Sequence, residues 1–397
     1  MKKIKGTAAR EAALQGIALA AEADRKVVPP RTMFVGPCVE FWAALTASDS
    51  SGPSREPLAS RFDPAVLRKL ALACGIGEVR HAAIRFRTAL GEATDTQGGY
   101  GSLKIGCTLN QTVPLTYKEF SRSRYTRGQR FMECARELYM ATLAWREAPE
   151  FVAPPQHFGI RCKGPSGKHD ESVHGAVLYP FLVFGDHGVS LEQFFASPTS
   201  PMTMAFKKDL CLRLLGGLRE LHGGGIAHGD LRAGNVVFCP SRPRSLVIID
   251  FGLAQREHRV GLPVDGFKRE RWVSVASQAL GPGSVYAPEY CQGGPTAATD
   301  MWAAGALIVR IFIRDPHDGL RGVPDASKRT VSTIFTERLP TKFVAKSLWF
   351  LILDCCQSDP GNRPSAAKLA AALEATRVDP DGKLIPAGLP QIPSSTC

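Results

Sequence analysis

Asp230 and Asn235, five positions apart, and Asp250, fifteen positions further on, have the residue types and spacing of a phosphoryl-transfer site. Asp230 and Asn235 lie in His228-Gly229-Asp230-Leu231-Arg232-Ala233-Gly234-Asn235, and Asp250 in Leu246-Val247-Ile248-Ile249-Asp250-Phe251-Gly252. A carboxylate can accept the proton of an attacking hydroxyl. An amide oxygen and a second carboxylate are hard oxygen ligands, suited to a magnesium ion bridging the phosphates of ATP. The apolar runs Val236-Val237-Phe238 and Leu246 to Ile249 read as strands that hold these groups in place.

The second aspartate, in Asp-Phe-Gly, and the loop before it resemble the signature set of the eukaryotic-type protein kinases, and the resemblance extends over about residues 90–376. It implies that Asp230 is the catalytic base, Asn235 and Asp250 the metal ligands, and Arg232 a cation for the transferred phosphoryl. It also implies a grip on ATP upstream. Lys118 ends the apolar strand Val113-Pro114-Leu115-Thr116-Tyr117-Lys118-Glu119-Phe120, as the family's phosphate-binding lysine does. Thr96-Gln97-Gly98-Gly99-Tyr100-Gly101-Ser102-Leu103 resembles the glycine-rich loop, with Thr96 at the first glycine position and Gly101 seventeen residues before Lys118. Gly98, Gly99 and Gly101 would let backbone amides approach phosphates, with Tyr100 and Leu103 covering the nucleotide. The helical glutamate that pairs with the lysine is expected at Glu137, nineteen positions after Lys118; Glu133, one turn earlier, shares its face. Phe184 would stand beside the adenine, with Gly185 and His187 in the connection that offers it backbone bonds. ATP and Mg2+ are the implied cofactors.

Gly229 departs from the family, which usually has Arg before the catalytic Asp, so this loop is of the non-RD type. His-Gly-Asp is also the form found in small-molecule kinases of the aminoglycoside and choline type, and that activity stands as an alternative. Downstream stretches favour a protein-substrate platform. Gly283-Ser284-Val285-Tyr286-Ala287-Pro288-Glu289 resembles the end of an activation segment. Asp300-Met301-Trp302-Ala303-Ala304-Gly305 resembles the helix whose Asp holds the catalytic loop, and Arg363 lies in the motif that pairs with the Ala-Pro-Glu glutamate. Arg232 is similar to the residue of tyrosine kinases, whereas Ser284 falls where Ser/Thr kinases place a small hydroxyl against the catalytic Asp. The expectation is Ser/Thr over Tyr. With Gly229 in place of Arg, activity is expected not to require a phosphate on the activation segment. Lys268, Arg269 and Arg271 within that segment read as solvated charges, with docking of an acidic substrate as the other possibility. A pseudokinase scaffold that binds partners without catalysis is the rival from another class.

The fold implied is α+β and bilobal: a five-stranded antiparallel sheet with one helix, above a larger, mainly helical lobe. The divisions expected are an N-terminal extension over 1–88, a smaller lobe over 89–184, a larger lobe over 185–376 and a Pro-rich tail over 377–397. Helices are expected over 9–24, 64–83, 129–145, 205–222, 299–313, 345–356 and 365–376, with a loop over 48–57 and a strand over 176–184.

Composition sets the bounds. The chain has 397 residues, 44% hydrophobic and 22% charged, as for an ordinary globular protein. A net charge of +12 without a Lys/Arg run longer than two residues or interleaved aromatics reads as a solvated basic surface, so nucleic acid is not an expected partner. Eleven cysteines without a CxxC pair argue against zinc and disulfides and fit an intracellular, cytoplasmic or nuclear setting. No transmembrane segment is expected, since the apolar run Trp302 to Val309 stops at Arg310. Arg10 and Glu11 interrupt what would be a signal peptide, and the terminal Ser-Ser-Thr-Cys is not a prenylation box. A protein substrate and a nucleotide are the expected partners; nothing points to a particular oligomeric state.

Overall fold

The computed structural model describes residues 35–46, 58–86, 96–98, 101–109, 113–121, 125–164, 176–196, 202–256, 286–313, 344–379 and 383–387. The helix expected over 9–24 and the loop over 48–57 lie outside them. Two compact units divide the described residues. The first comprises those up to Gly188, with 239–241 and the stretch that begins at Ile249; the second comprises the rest from Val189 onward.

The first unit is built on an antiparallel sheet of β3 (Thr96–Gly98), β4 (Gly101–Leu109), β5 (Val113–Glu119), β6 (Pro155–Lys163) and β7 (Val177–Gly185), in the order β3, β4, β5, β7, β6. Two strands add to the five expected: β1 (Gly77–Glu78), parallel to β6, and β2 (Ile84–Phe86), antiparallel to the far end of β4. The cause is visible in β5. Its alternation buries Leu115 and Tyr117 on one face and puts Thr116 and Lys118 on the other. Leu115 and Tyr117 join Phe181 and Val183 of β7 in an apolar layer that water would otherwise reach. Val79 and Ile84 cover it, and the His81 ring stands edge-on to Tyr117 and Phe181 at 5.8 and 5.9 Å. Gly159 in β6 allows the approach, because a Cβ there would collide with the Val79 carbonyl and the Phe181 ring. The described elements on either side of the expected boundary at 88/89, which itself lies outside the described residues, therefore belong to one unit.

The helix expected over 64–83 is Pro64–Ala73 and ends at Gly75, whose φ of +75° only glycine adopts without strain. Gly75 and Ile76 donate to the carbonyls of Leu72 and Ala71, which closes the helix in a Schellman motif before β1. This helix and Val35–Thr46 pack on the long helix Arg127–Glu147. A capping box starts the long helix: Gln129 N–H donates to the Thr126 hydroxyl at 3.3 Å, and Thr126 N–H to the Gln129 side chain at 2.8 Å. Trp42, 2% exposed, stacks on Tyr139 of that helix with ring centroids 4.6 Å apart. Trp42→Ala is expected to destabilise the first unit by about 3–5 kcal/mol, read by circular dichroism during urea unfolding. An unchanged midpoint would mean that the Val35–Thr46 helix is not docked in solution.

In the second unit the helix Met204–Gly223 is central. Its buried Leu210, Leu214, Leu218 and Leu221 face a strand at Arg242–Ile248 and the helix Ala366–Glu374. The helices Ala297–Ile313 and Lys346–Asp354 pack beside them, close to the spans expected. The stretch read as a tail opens as an antiparallel ribbon, with Thr376–Val378 paired to Leu384–Pro386. Among the described residues, no helix is long and apolar enough to cross a membrane.

Candidate active site

Lys118 is placed by β5 and met by the helix Arg127–Glu147. Its Nζ donates to both carboxylate oxygens of Glu137, at 2.8 and 2.7 Å, and lies 3.0 Å from Asp250 Oδ1. Glu137, not Glu133, is thus the glutamate the lysine takes. Burial alone would lower the Lys118 pKa, but the charges of Asp250 and Glu137 outweigh it and hold the ammonium above its ordinary value. Burial also pushes the Glu137 carboxyl up to about 7, against the pull of Lys118 and with the push of Asp250. Asp250 has φ +66°, in the left-handed region, and the following chain is tied back where Arg136 Nη2 donates to the Ala254 carbonyl at 2.7 Å.

Around this cluster, the β3–β4 register sets Gly98 opposite Gly101, and the β4–β5 register sets Leu103 opposite Lys118. The glycine loop is therefore a hairpin whose tip leads to the strand of the lysine. Gly99 and Tyr100, its two tip residues, lie outside the described residues. Phe184 and Gly185 end β7, opposite Thr116 and Leu115. Beyond them the His187 imidazole folds toward Gly185, where an added Cβ would meet its Nε2 at 3.3 Å. Asp186 shapes this turn: its N–H donates to the Pro114 carbonyl at 3.2 Å, and its carboxylate accepts the Gly188 N–H at 3.0 Å. Burial raises the Asp186 pKa.

The second unit holds Asp230. The loop that carries it is suspended from Asp300 near the start of the helix Ala297–Ile313. Asp300 accepts the backbone N–H of His228 at 2.7 Å and that of Gly229 at 2.9 Å, and the His222 ring nitrogen lies 3.0 Å away. Gly229 has φ +77°, so its departure from Arg coincides with a backbone position at which a Cβ is strained. Asp230 is 5% exposed. Asn235, at the end of a short 3-10 turn, donates through Nδ2 to the Asp230 carbonyl at 2.8 Å and to Oδ2 at 2.9 Å. Arg232 Nε reaches the same Oδ2 at 3.4 Å. With its amide nitrogen used in this way, Asn235 keeps its carbonyl oxygen as the atom able to ligate a metal.

Ser284, expected to give Asp230 its hydroxyl contact, and Lys268, Arg269 and Arg271 lie outside the described residues. The hydroxyl found on Asp230 belongs to Tyr286, which donates to Oδ1 at 2.5 Å. Sequence reasoning missed this residue. Its only signal was a hydroxyl-bearing side chain directly before Ala287-Pro288-Glu289. Glu289 itself accepts both arms of the Arg363 guanidinium, at 2.6 and 2.9 Å, as the motif resemblance implied.

The sequence profile of the family described as the protein kinase domain matches residues 184–373. The mitochondrial serine/threonine-protein kinase PINK1 of Rattus norvegicus is 32% identical over 214 residues, which cover 50% of this chain and 34% of that protein. Dual specificity testis-specific protein kinase 1 of Homo sapiens is 29% identical over 217 residues, 51% of this chain and 31% of the relative. Serine/threonine-protein kinase mos of Patiria pectinifera is 26% identical over 281 residues, 70% of this chain and 72% of the relative. The chain thus spans about a third of the length of the first two relatives. Residues 184–373, just under half of the chain, are thus similar to the protein kinase domain, and they include Asp230, Asn235 and Asp250.

Proposed function

We propose that this protein transfers the γ-phosphoryl group of ATP to hydroxyls of protein substrates, Ser and Thr ahead of Tyr. One observation carries the proposal: the Lys118 ammonium lies 2.7 Å from Glu137 and 3.0 Å from Asp250, almost wholly removed from solvent. A lysine serving only as a surface charge would not be held between two carboxylates in the first unit's interior.

Lys118 supplies a positioned cation for nucleotide phosphates, with Glu137 fixing its direction. Gly98 and Gly101 bring the β3–β4 backbone over the phosphates, and Phe184, Gly185 and His187 line the adenine edge. Asp250 in the first unit and Asn235 in the second each carry an oxygen suited to Mg2+, an ion that would neutralise phosphate charge when bound. Asp230 takes the proton of the acceptor hydroxyl, and Arg232 offers a cation to the departing phosphoryl. The Glu289–Arg363 pair supports protein over small-molecule acceptors, since it braces the end of the segment on which a polypeptide would lie.

The test uses the full chain with labelled ATP and Mg2+, offered generic Ser/Thr protein acceptors in one arm and aminoglycosides and choline in another. Label on protein is the expected result. Label on the small molecules alone would replace the acceptor class, and no label in either arm would leave a scaffold.

A further inference from the structure

We propose that Cys38 is a site of oxidation by hydrogen peroxide, and that Cys74 resolves the oxidised sulfur into a disulfide joining the helices Val35–Thr46 and Pro64–Ala73. The inference stands apart from the phosphoryl-transfer reading.

Cys38 lies in the first turn of Val35–Thr46, and Cys74 caps the C-terminus of Pro64–Ala73. Both are buried thiols, and their side chains are hydrogen-bonded to each other. From the long helix Arg127–Glu147, Arg146 Nη1 donates to the Cys38 sulfur at 3.4 Å. The backbone N–H of Cys38 also reaches that sulfur, and it belongs to a first turn, where such groups lack an intrahelical acceptor. A partner thiol, a guanidinium and a helix N-terminus are the surroundings of a reactive thiolate.

The Cys74 bond first, and then the Arg146 charge, lower the Cys38 pKa to about 6, although burial acts the other way. The bond to Cys38 and burial keep Cys74 protonated. Burial pushes the thiols of Cys134, Cys211, Cys355 and Cys356 up, which makes them inert by comparison. Cover over the pair is thin, because Pro37 and Leu72 beside it are exposed. The first helix is held further along, by Trp42 against Phe62 and Tyr139 and by Arg61 Nη1 on the Leu45 carbonyl at 3.3 Å. Its first turn can therefore fray and admit a small oxidant while the rest stays docked.

The chemistry has two steps. The Cys38 sulfur attacks one peroxide oxygen: an S–O bond forms, the O–O bond breaks, and the departing hydroxide takes the Cys38 proton and leaves as water. The Cys74 sulfur then attacks that of Cys38: an S–S bond forms, the S–O bond breaks, and the hydroxyl leaves as water with the Cys74 proton. Two thiols are oxidised by two electrons in all, and one peroxide is reduced to two waters. The product ties together two helices that pack on Arg127–Glu147, the helix of Glu137.

The experiment treats the reduced and desalted full chain with hydrogen peroxide, alkylates the remaining thiols and maps the peptides by tandem mass spectrometry. The expected result is a Cys38–Cys74 cross-linked peptide that dithiothreitol reverses. The urea midpoint of the oxidised chain should be higher, since the bond constrains the unfolded chain. In Cys74→Ser, Cys38 should stop at the sulfenic acid and be captured by dimedone. Arg146→Gln should slow the oxidation by about three- to tenfold, and Arg146→Lys should restore most of the rate. Alkylation of both Cys38 and Cys74 after peroxide treatment would overturn the inference, as would cross-links from either to a different cysteine. A cross-link without a rise in the midpoint would overturn the tie between docked helices. An unaltered rate in Arg146→Gln would remove Arg146 from the reaction.

Discussion

Asp230→Asn is expected to lower phosphoryl transfer by about 10²–10⁴-fold, the usual contribution of a positioned general base, while the fold and ATP binding persist. Asn has nearly the same size and shape, so the Asp300 bonds to the backbone of His228 and Gly229 that suspend the loop are unaffected. The change is chemical. Donors to the Asp230 carboxylate include Tyr286 on Oδ1, and Asn235 and Arg232 on Oδ2. An amide accepts on one side only and cannot take the acceptor's proton. The nucleotide groups Lys118, Glu137 and Asp250 belong to the first unit and keep their contacts. Single-turnover transfer of labelled phosphate, with an ATP thermal-shift assay alongside, separates the two effects. A rate close to that of the unaltered chain would remove Asp230 from the chemistry.

Arg363→Ala is expected to destabilise the second unit by about 3–5 kcal/mol, the cost of removing one member of a buried, hydrogen-bonded pair. The Arg363 side chain is 1% exposed. Besides its two bonds to Glu289, it donates to the carbonyls of Ala298 and Gln357, each at 2.9 Å, and stacks over the Trp302 ring at 5.1 Å. Truncation leaves a carboxylate and two carbonyls to find other donors and opens space beside an indole. The Glu289 side chain retains 26% exposure, so water offsets part of the loss and the lower end of the range is expected. Arg363→Lys should fall between, because an ammonium keeps the charge but not the planar fork. Urea unfolding followed by circular dichroism reads both variants. An unfolding midpoint unmoved in Arg363→Ala would show that the pair contributes nothing to the unit.

The groups that were legible in the sequence are those whose spacing is set within one loop, strand or helix. Asp230 and Asn235 share one turn, and β5 projects Lys118 by simple alternation. Glu137 was legible through the resemblance alone, and since Glu133 shares its face, the contact with Lys118 is what separates the two. What escaped depends on pairing between distant stretches. Gly77–Glu78 and Ile84–Phe86 are too short to announce themselves, and they become strands because β6 and β4 offer edges and the face bearing Tyr117 and Phe181 needs cover. The helix read over 64–83 was continued through Gly75, where the apolar pattern persists but the backbone turns left-handed. Tyr286 escaped for a third reason. Its side chain meets Asp230 across 56 residues of sequence, and no local rule carries that contact.

Asp250 stands in the left-handed region, which few L-residues other than Asn and Asp visit, and such a residue persists where its surroundings over-determine it. Here the restraints are the ammonium of Lys118 on its carboxylate and the tie from Arg136 to Ala254. The turn is in effect a cocked spring, and Lys118 is part of the catch. A compound that drew the ammonium toward itself would let the peptide rotate to negative φ, and the relaxed turn would contribute to the affinity of an inhibitor that never touches Asp250.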